Sequence, residues 1–170
     1  MPELKHEKLL EAESTVTERL GAHGLDFAAM AAISNIYRAA AAVRQRAEQT
    51  VLADNRLSWG GFTMLWVLWV WGEMETASLA NECNLSKGTV SGMVSTLERQ
   101  GLVNRTKHTS DRRRILVSLS QSGEQVITEL FPEFNRFEQQ MVRGLNTEEQ
   151  QDLAALLRVV VGNATMESKT

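Results

Sequence analysis

The residues of this chain best suited to chemistry lie between Asn84 and Arg114. Seven Lys/Arg stand there against two Asp/Glu, although the whole chain holds 18 against 21. The stretch is therefore +5 and the remainder −8, a separation of charge that marks a polyanion-binding edge on an otherwise acidic protein. Its cations are Lys87, Arg99, Arg105, Lys107, Arg112, Arg113 and Arg114. Interleaved with the first of them are the hydroxyls of Ser86, Thr89, Ser91 and Ser95 and the bare backbone of Gly92. Cations neutralise phosphates, while short hydroxyl side chains can reach base edges in a major groove. A charge run alone is also compatible with a merely solvated hairpin tip; what precedes this one argues for more.

Those residues need elements to carry them. Asn84-Leu85-Ser86 reads as a tight turn between two helices, with Ser86 as the N-cap of the second. Val90, Val94 and Leu97 recur at i, i+4 and i+7, one apolar stripe, which leaves Gly88, Ser91, Gly92, Ser95 and Arg99 on the other side. Gly101 is a left-handed stop. Leu102-Val103 opens a strand, and Ile115, Val117 and Leu119 alternate in a second one. The strands make a hairpin whose basic tip turns at Thr109-Ser110-Asp111.

In these features Thr76–Leu119 resembles the winged helix–turn–helix of the MarR regulators (multiple antibiotic resistance). The matching residues are Leu79-Ala80, Leu85-Ser86, Thr89-Val90-Ser91, the run Leu97-Glu98-Arg99-Gln100-Gly101-Leu102-Val103, and the Asp-x-Arg signature at Asp111 and Arg113. The resemblance extends more weakly over nearly the whole chain. Gly88 and Gly92 depart from it, standing where relatives often carry larger polar side chains. It implies that the Lys87–Gln100 helix enters a major groove. It also implies that Arg113 reaches an adjacent minor groove while Asp111 pairs with an arginine and orients the tip.

Composition bounds the rest. With 170 residues, 43% of them hydrophobic and 23% charged, the chain fits one globular domain able to bury a core. A single cysteine excludes an internal disulfide framework and a Cys-rich metal site. Cys83, ending the first helix of the motif, reads as a small buried hydrophobe or as a redox sensor, and it has no basic sequence neighbour to activate it. His6, His23 and His108 stand apart, without a second ligand at metal spacing. No phosphate loop, nucleophile elbow or HExxH helix occurs, so no enzyme activity and no cofactor is expected. The N-terminus is acidic rather than signal-like, and the Phe62–Trp71 apolar block is too short to span a bilayer, so the expected location is the cytoplasm, with no membrane partner.

Five further helices frame the motif. Met1–Leu20 reads as an acidic amphipathic helix broken by Gly21 and Gly24. Asp26 caps a second, running to about Leu52. Ser58 caps a third that holds Trp59, Trp66, Trp69 and Trp71; Trp59, Phe62, Trp66 and Trp69 fall near one face, which reads as core, or as one or two rings lining a ligand pocket where this helix meets the preceding one. Glu73–Thr76 reads as a loop into the motif. Ser120 caps a long helix to about Arg143 with Pro132 inside it, where a kink is expected. Gly144 ends it, and a capping box at Asn146/Glu149 or Thr147/Gln150 starts the last. The last helix carries Leu153, Leu156, Leu157, Val160 and Val161 on one stripe, which calls for a partner.

The resulting fold class is mainly α with a small β-hairpin wing: a winged helix–turn–helix with a helical dimerisation region. Residues 1–57 hold N-terminal dimerisation helices, 58–120 the DNA-binding lobe and 121–170 the C-terminal dimerisation helices. The expected function is a homodimeric, ligand-responsive transcriptional regulator of the repressor kind, bound to an inverted repeat in double-stranded DNA. An architectural protein without sequence preference is the other reading, and hydroxyl-rich Thr89, Ser91 and Ser95 favour the first. The effector expected is a small aromatic acid or a conjugate such as an acyl-CoA, the class to which the family often responds. Tyr37, Phe62 and Trp66 are expected to enclose its ring and Arg38 to hold its charge. Arg38 has no carboxylate at i±3 or i±4, so its counter-charge comes from a ligand, from Glu73 or Glu75, or from a partner subunit.

Overall fold

A computed structural model describes residues 2–107 and 114–166, with the side chains of residues 2–7 and Ala22 excepted. In order the elements are α1 (Pro2–Leu20), α2 (Phe27–Gln49), α3 (Trp59–Trp71), β1 (Met74–Glu75), α4 (Thr76–Glu82), α5 (Lys87–Arg99), β2 (Val103–Lys107), β3 (Ile115–Leu119), α6 (Gln121–Met141) and α7 (Thr147–Thr165). A short 3₁₀ turn, Gly21–His23, ends at Gly24 with φ +63°, so the break expected at Gly21 and Gly24 takes a left-handed form. The chain divides into two compact units, residues 1–46 and 47–170. Among the described residues no helix is long and apolar enough to cross a membrane.

In the first unit the side chain of Asp26 caps α2, accepting the Ala29 N–H at 2.9 Å. Glu13 of α1 accepts from Asn35 Nδ2 at 2.8 Å and lies 3.8 Å from Arg38 Nη1. Leu9, Leu10, Val16, Leu25, Met30 and Ile33 are all exposed.

The second unit holds the core. Ser58, Ser86, Ser120 and Asn146 each accept an N–H of the next turn, as their positions predict. The last of these is a complete capping box with Glu149, which settles the two alternatives in favour of Asn146. Helix α3 packs on α5, β3 and α6, and turns Phe62, Met64, Leu65, Val67 and Leu68 inward. Trp66, Trp69 and Trp71 are left outward, with 36%, 38% and 64% of their surface exposed, so the reading of the Trp59, Phe62, Trp66 and Trp69 face as core holds for Phe62 and is corrected for Trp66 and Trp69. The cause is that α3 is apolar on every side. Helical spacing can identify a face but cannot choose between two apolar ones.

The sheet has three antiparallel strands in the order β1-β3-β2. Val103 pairs with Leu119 and Lys107 with Ile115 in the hairpin, while Met74 and Glu75 pair with Val117 and Leu116. The expected loop over 73–76 is thus partly a strand. Two residues are too few to show period-2 alternation, so only the partner strand reveals it. Helix α6 runs through Pro132, and its start is pressed onto the α5–β2 connection. There Ser120 N–H donates to Leu102 O at 3.0 Å, and a Cβ on Gly123 would sit 1.9 Å from that same oxygen. Gly101, at φ +74°, makes the approach possible.

Candidate nucleic-acid interface and effector pocket

Helix α5 is positioned by its apolar stripe: Val90, Val94 and Leu97 are essentially inaccessible. That burial fixes the rotation of the helix and presents Lys87, Gly88, Thr89, Ser91, Gly92 and Arg99 to solvent. The turn before it needs Asn84 at φ +51°, a left-handed conformation asparagine tolerates. Ser86 and Thr89 are joined twice, hydroxyl to hydroxyl at 2.8 Å and Thr89 N–H to Ser86 Oγ at 3.2 Å. Ser86 therefore builds the helix start rather than standing free beside it.

The hairpin is tied to this helix by arginine. Arg105 of β2 donates to Ser95 Oγ at 3.2 Å and forms a close ion pair with Glu98. The Glu98 carboxylate holds the guanidinium above its ordinary value, so Arg105 stays charged throughout. Arg114, at the foot of β3, is clasped by both carboxylate oxygens of Glu75 on β1. Both arginines were expected to meet DNA as cations; each already has a carboxylate, and each joins two elements. Such exposed pairs contribute little to stability. Their consequence is geometric, since they set the wing against the helix and the sheet. Glu75 and Glu98 are the residues that sequence reasoning missed here, and a carboxylate among many arginines was the only signal.

Ser95 donates to Ser91 O at 2.9 Å, and Arg99 lies back along its own helix toward Ser95 O and Thr96 Oγ1. Among the described residues Lys87 and Lys107 are the interface cations without an ion pair or hydrogen bond. A depression of about 320 Å³ joins Lys87 and Ser91 of α5 to Arg105 and Arg114. Asp111, Arg112 and Arg113, with the Thr109-Ser110 turn, lie outside the described residues.

Of the four residues expected at an effector, Phe62 and Trp66 share a pocket of about 260 Å³ in the second unit. Its other wall is α6: Phe131 and Phe134 face Trp59, Phe62 and Trp66, with Thr63 and Glu138 as the polar members. Phe131, Phe134 and Glu138 fall at i, i+3 and i+7 on α6, a spacing that could have found them. Tyr37 and Arg38 belong to the other unit, where Tyr37 is 74% exposed. Arg38 has a counter-charge in Glu13, which was not among the sources considered for it, and Glu75, which was, is engaged by Arg114. Sequence spacing missed Glu13 because the contact joins two helices 25 residues apart in the chain.

Cys83, at the end of α4, is half-buried, and its thiol is pushed up to about 11 by burial and by the neighbouring Glu82. It is a neutral thiol at physiological pH, the opposite of a reactive one.

A winged helix–turn–helix with an exposed hydroxyl-bearing α5 is thus in place, and comparison with known proteins gives its family. Residues 57–115 match the model of the MarR family. Over 162 residues the chain is 36% identical to the HTH-type transcriptional regulator YwaE of Bacillus subtilis, covering 94% of this chain and 95% of that protein. The chain belongs to the MarR family. It is a DNA-binding transcriptional regulator of that type, and the family comprises regulators rather than enzymes. Two solved structures share the fold. BpsR of Bordetella bronchiseptica, described with the regulation of its DNA binding by 6-hydroxynicotinic acid, is 25% identical with a TM-score of 0.70, covering 75% of this chain and 96% of that one. Sco3205 of Streptomyces coelicolor, a MarR-family regulator in complex with DNA, is 20% identical with a TM-score of 0.77, covering 84% and 91%.

Proposed function

We propose that this protein is a homodimeric repressor, acting in the cytoplasm on an inverted-repeat operator and released from it by a small aromatic molecule. The observation that carries the DNA half of the reading is the exposed face of α5, Lys87, Thr89, Ser91 and Gly92, held rigidly beside the hairpin by Arg105. Two such helices related by a two-fold axis meet successive major grooves about one turn, ~10 bp, apart. Thr89 and Ser91 read base edges, Gly92 lets the backbone come close, Lys87 and Lys107 meet phosphate, and Arg112 and Arg113 extend the contact at the tip. Arg105 and Arg114 act chiefly by setting the wing.

The dimer half rests on α7, of which no residue is buried and whose stripe leaves Leu153, Leu156 and Leu157 in solvent. The terminal segments 1–57 and 121–170 form the dimerisation region, and 58–120 the reading lobe. The release half rests on the aromatic pocket, and on BpsR, whose DNA binding answers to a single-ring molecule. A ligand preferring a spacing of the two lobes that does not fit DNA shifts the population away from it.

The test is selection of duplexes from a random-sequence pool, followed by titration of the enriched duplex and a scrambled one across salt. A specific regulator binds the enriched duplex about 10³-fold or more tighter at physiological salt. Equal affinity with equal salt slopes would instead make this an architectural protein that binds duplex without preference.

A further inference from the structure

We propose that the pocket between α3 and α6 takes an organic cation, an ammonium carrying an aromatic or alkyl body, rather than an organic acid. For its effect on DNA this rests on the release step proposed above; for binding it stands on the pocket alone.

The lining is aromatic rings and acceptors. Phe62 stacks on Phe134 with ring centroids 4.0 Å apart, and Trp59 is tilted 55° to Phe134 at 5.8 Å. Stacking occupies the facing sides of Phe62 and Phe134, which are buried, whereas the indole of Trp66 is 36% exposed, and an aromatic face attracts a cation within about 6 Å of the ring centre. Thr63 spends its hydroxyl proton on the carbonyl of Trp59 at 2.9 Å, so what it can still offer is lone pairs. Glu138 is the one charged residue of the lining, and it is negative. Its hydrogen bond, from Asn135 Nδ2 at 3.1 Å, comes from a neutral amide and leaves that charge in place. The only side-chain donors in the lining are the uncharged indole N–H groups of Trp59 and Trp66.

The consequences for a ligand are opposite for the two signs. A carboxylate entering here loses water and meets Glu138 with no lysine or arginine in the lining to compensate it. An ammonium entering the same space gains ring faces on one side and a charge-assisted contact to Glu138 on the other. The volume, about 260 Å³, lies just below the common range of about 300–1,000 Å³ for ligand pockets, so the body is a single ring or a short chain.

The experiment measures binding to the full chain by calorimetry and tryptophan quenching, with benzyltrimethylammonium, benzoate and uncharged 2,2-dimethylpropylbenzene as probes. The ammonium should bind, and the neutral isostere and benzoate should bind about tenfold more weakly or not at all. Glu138→Gln, a same-shape change at an exposed side chain, should weaken the ammonium about tenfold and leave the neutral probe unchanged. Trp66→Leu should weaken the ammonium and the neutral probe together. The inference is overturned if benzoate binds as tightly as the ammonium, if Glu138→Gln holds the ammonium like the wild type, or if no ammonium binding is seen at millimolar concentration. Ammonium binding that leaves operator affinity unchanged upholds the pocket and removes the release step instead.

Discussion

Helices α5 and α7 carry nearly the same pattern and meet opposite fates. In α5 the residues at i, i+4 and i+7, Val90, Val94 and Leu97, are at most 3% exposed. In α7 the stripe of Leu153, Leu156 and Leu157 is 42%, 66% and 37% exposed. An amphipathic period states that a face will be covered; it does not state by what. For α5 the cover lies within the chain, in α3, α4 and β2. For α7 nothing among the described residues buries it. The polar faces differ in the same way. That of α5 is small and hydroxyl-bearing, fit for close approach to another surface, whereas that of α7 is glutamate- and glutamine-rich, fit for water.

The sharpest way to break this comparison is to damage both stripes. Leu97→Ala should cost about 2–5 kcal/mol in denaturant unfolding, because it opens a cavity in a closed core. Leu157→Asp should instead produce monomers or insoluble protein, by placing an unpaired charge in a subunit seam. Sedimentation equilibrium separates the two. A stable wild-type monomer at micromolar concentration would falsify the reading of α7.

Next in size is the wing. Arg113→Ala should lower operator affinity by roughly 1–3 kcal/mol and relax the preference for A·T pairs under the tip. Anisotropy titration on operator variants reads both effects, and wild-type affinity in the variant sinks the assignment of Arg113 to the groove. Lys87→Ala touches the same interface more gently. It should weaken all duplexes alike and reduce the slope of log affinity against log salt by about one. A loss confined to one sequence would move Lys87 from phosphate to base.

The smallest effect concerns Cys83, the quiet residue of the motif. With its thiol pushed up to about 11, its thiolate at pH 7 is scarce, since burial disfavours the charged form. Alkylation by iodoacetamide should run on the order of 100-fold slower than for a free thiol, and accelerate with pH toward that value. Rapid modification at pH 7 would make Cys83 a sensor after all.

What the sequence determined by itself was local. The caps at Ser58, Ser86, Ser120 and Asn146, the left-handed stops at Gly24, Gly101 and Gly144, and the α5 stripe follow from short-range hydrogen bonding and periodicity, all legible within a few residues. So did the cluster of cations, because charge is counted without knowing geometry. Tertiary structure alone decided which carboxylate meets which arginine: Glu13 with Arg38, Glu75 with Arg114, and Glu98 with Arg105. It also decided that β1 is a strand, because two residues become one only when β3 lies beside them. And it turned Trp66, Trp69 and Trp71 outward, because a helix apolar all round takes its orientation from its neighbours and not from its own residues.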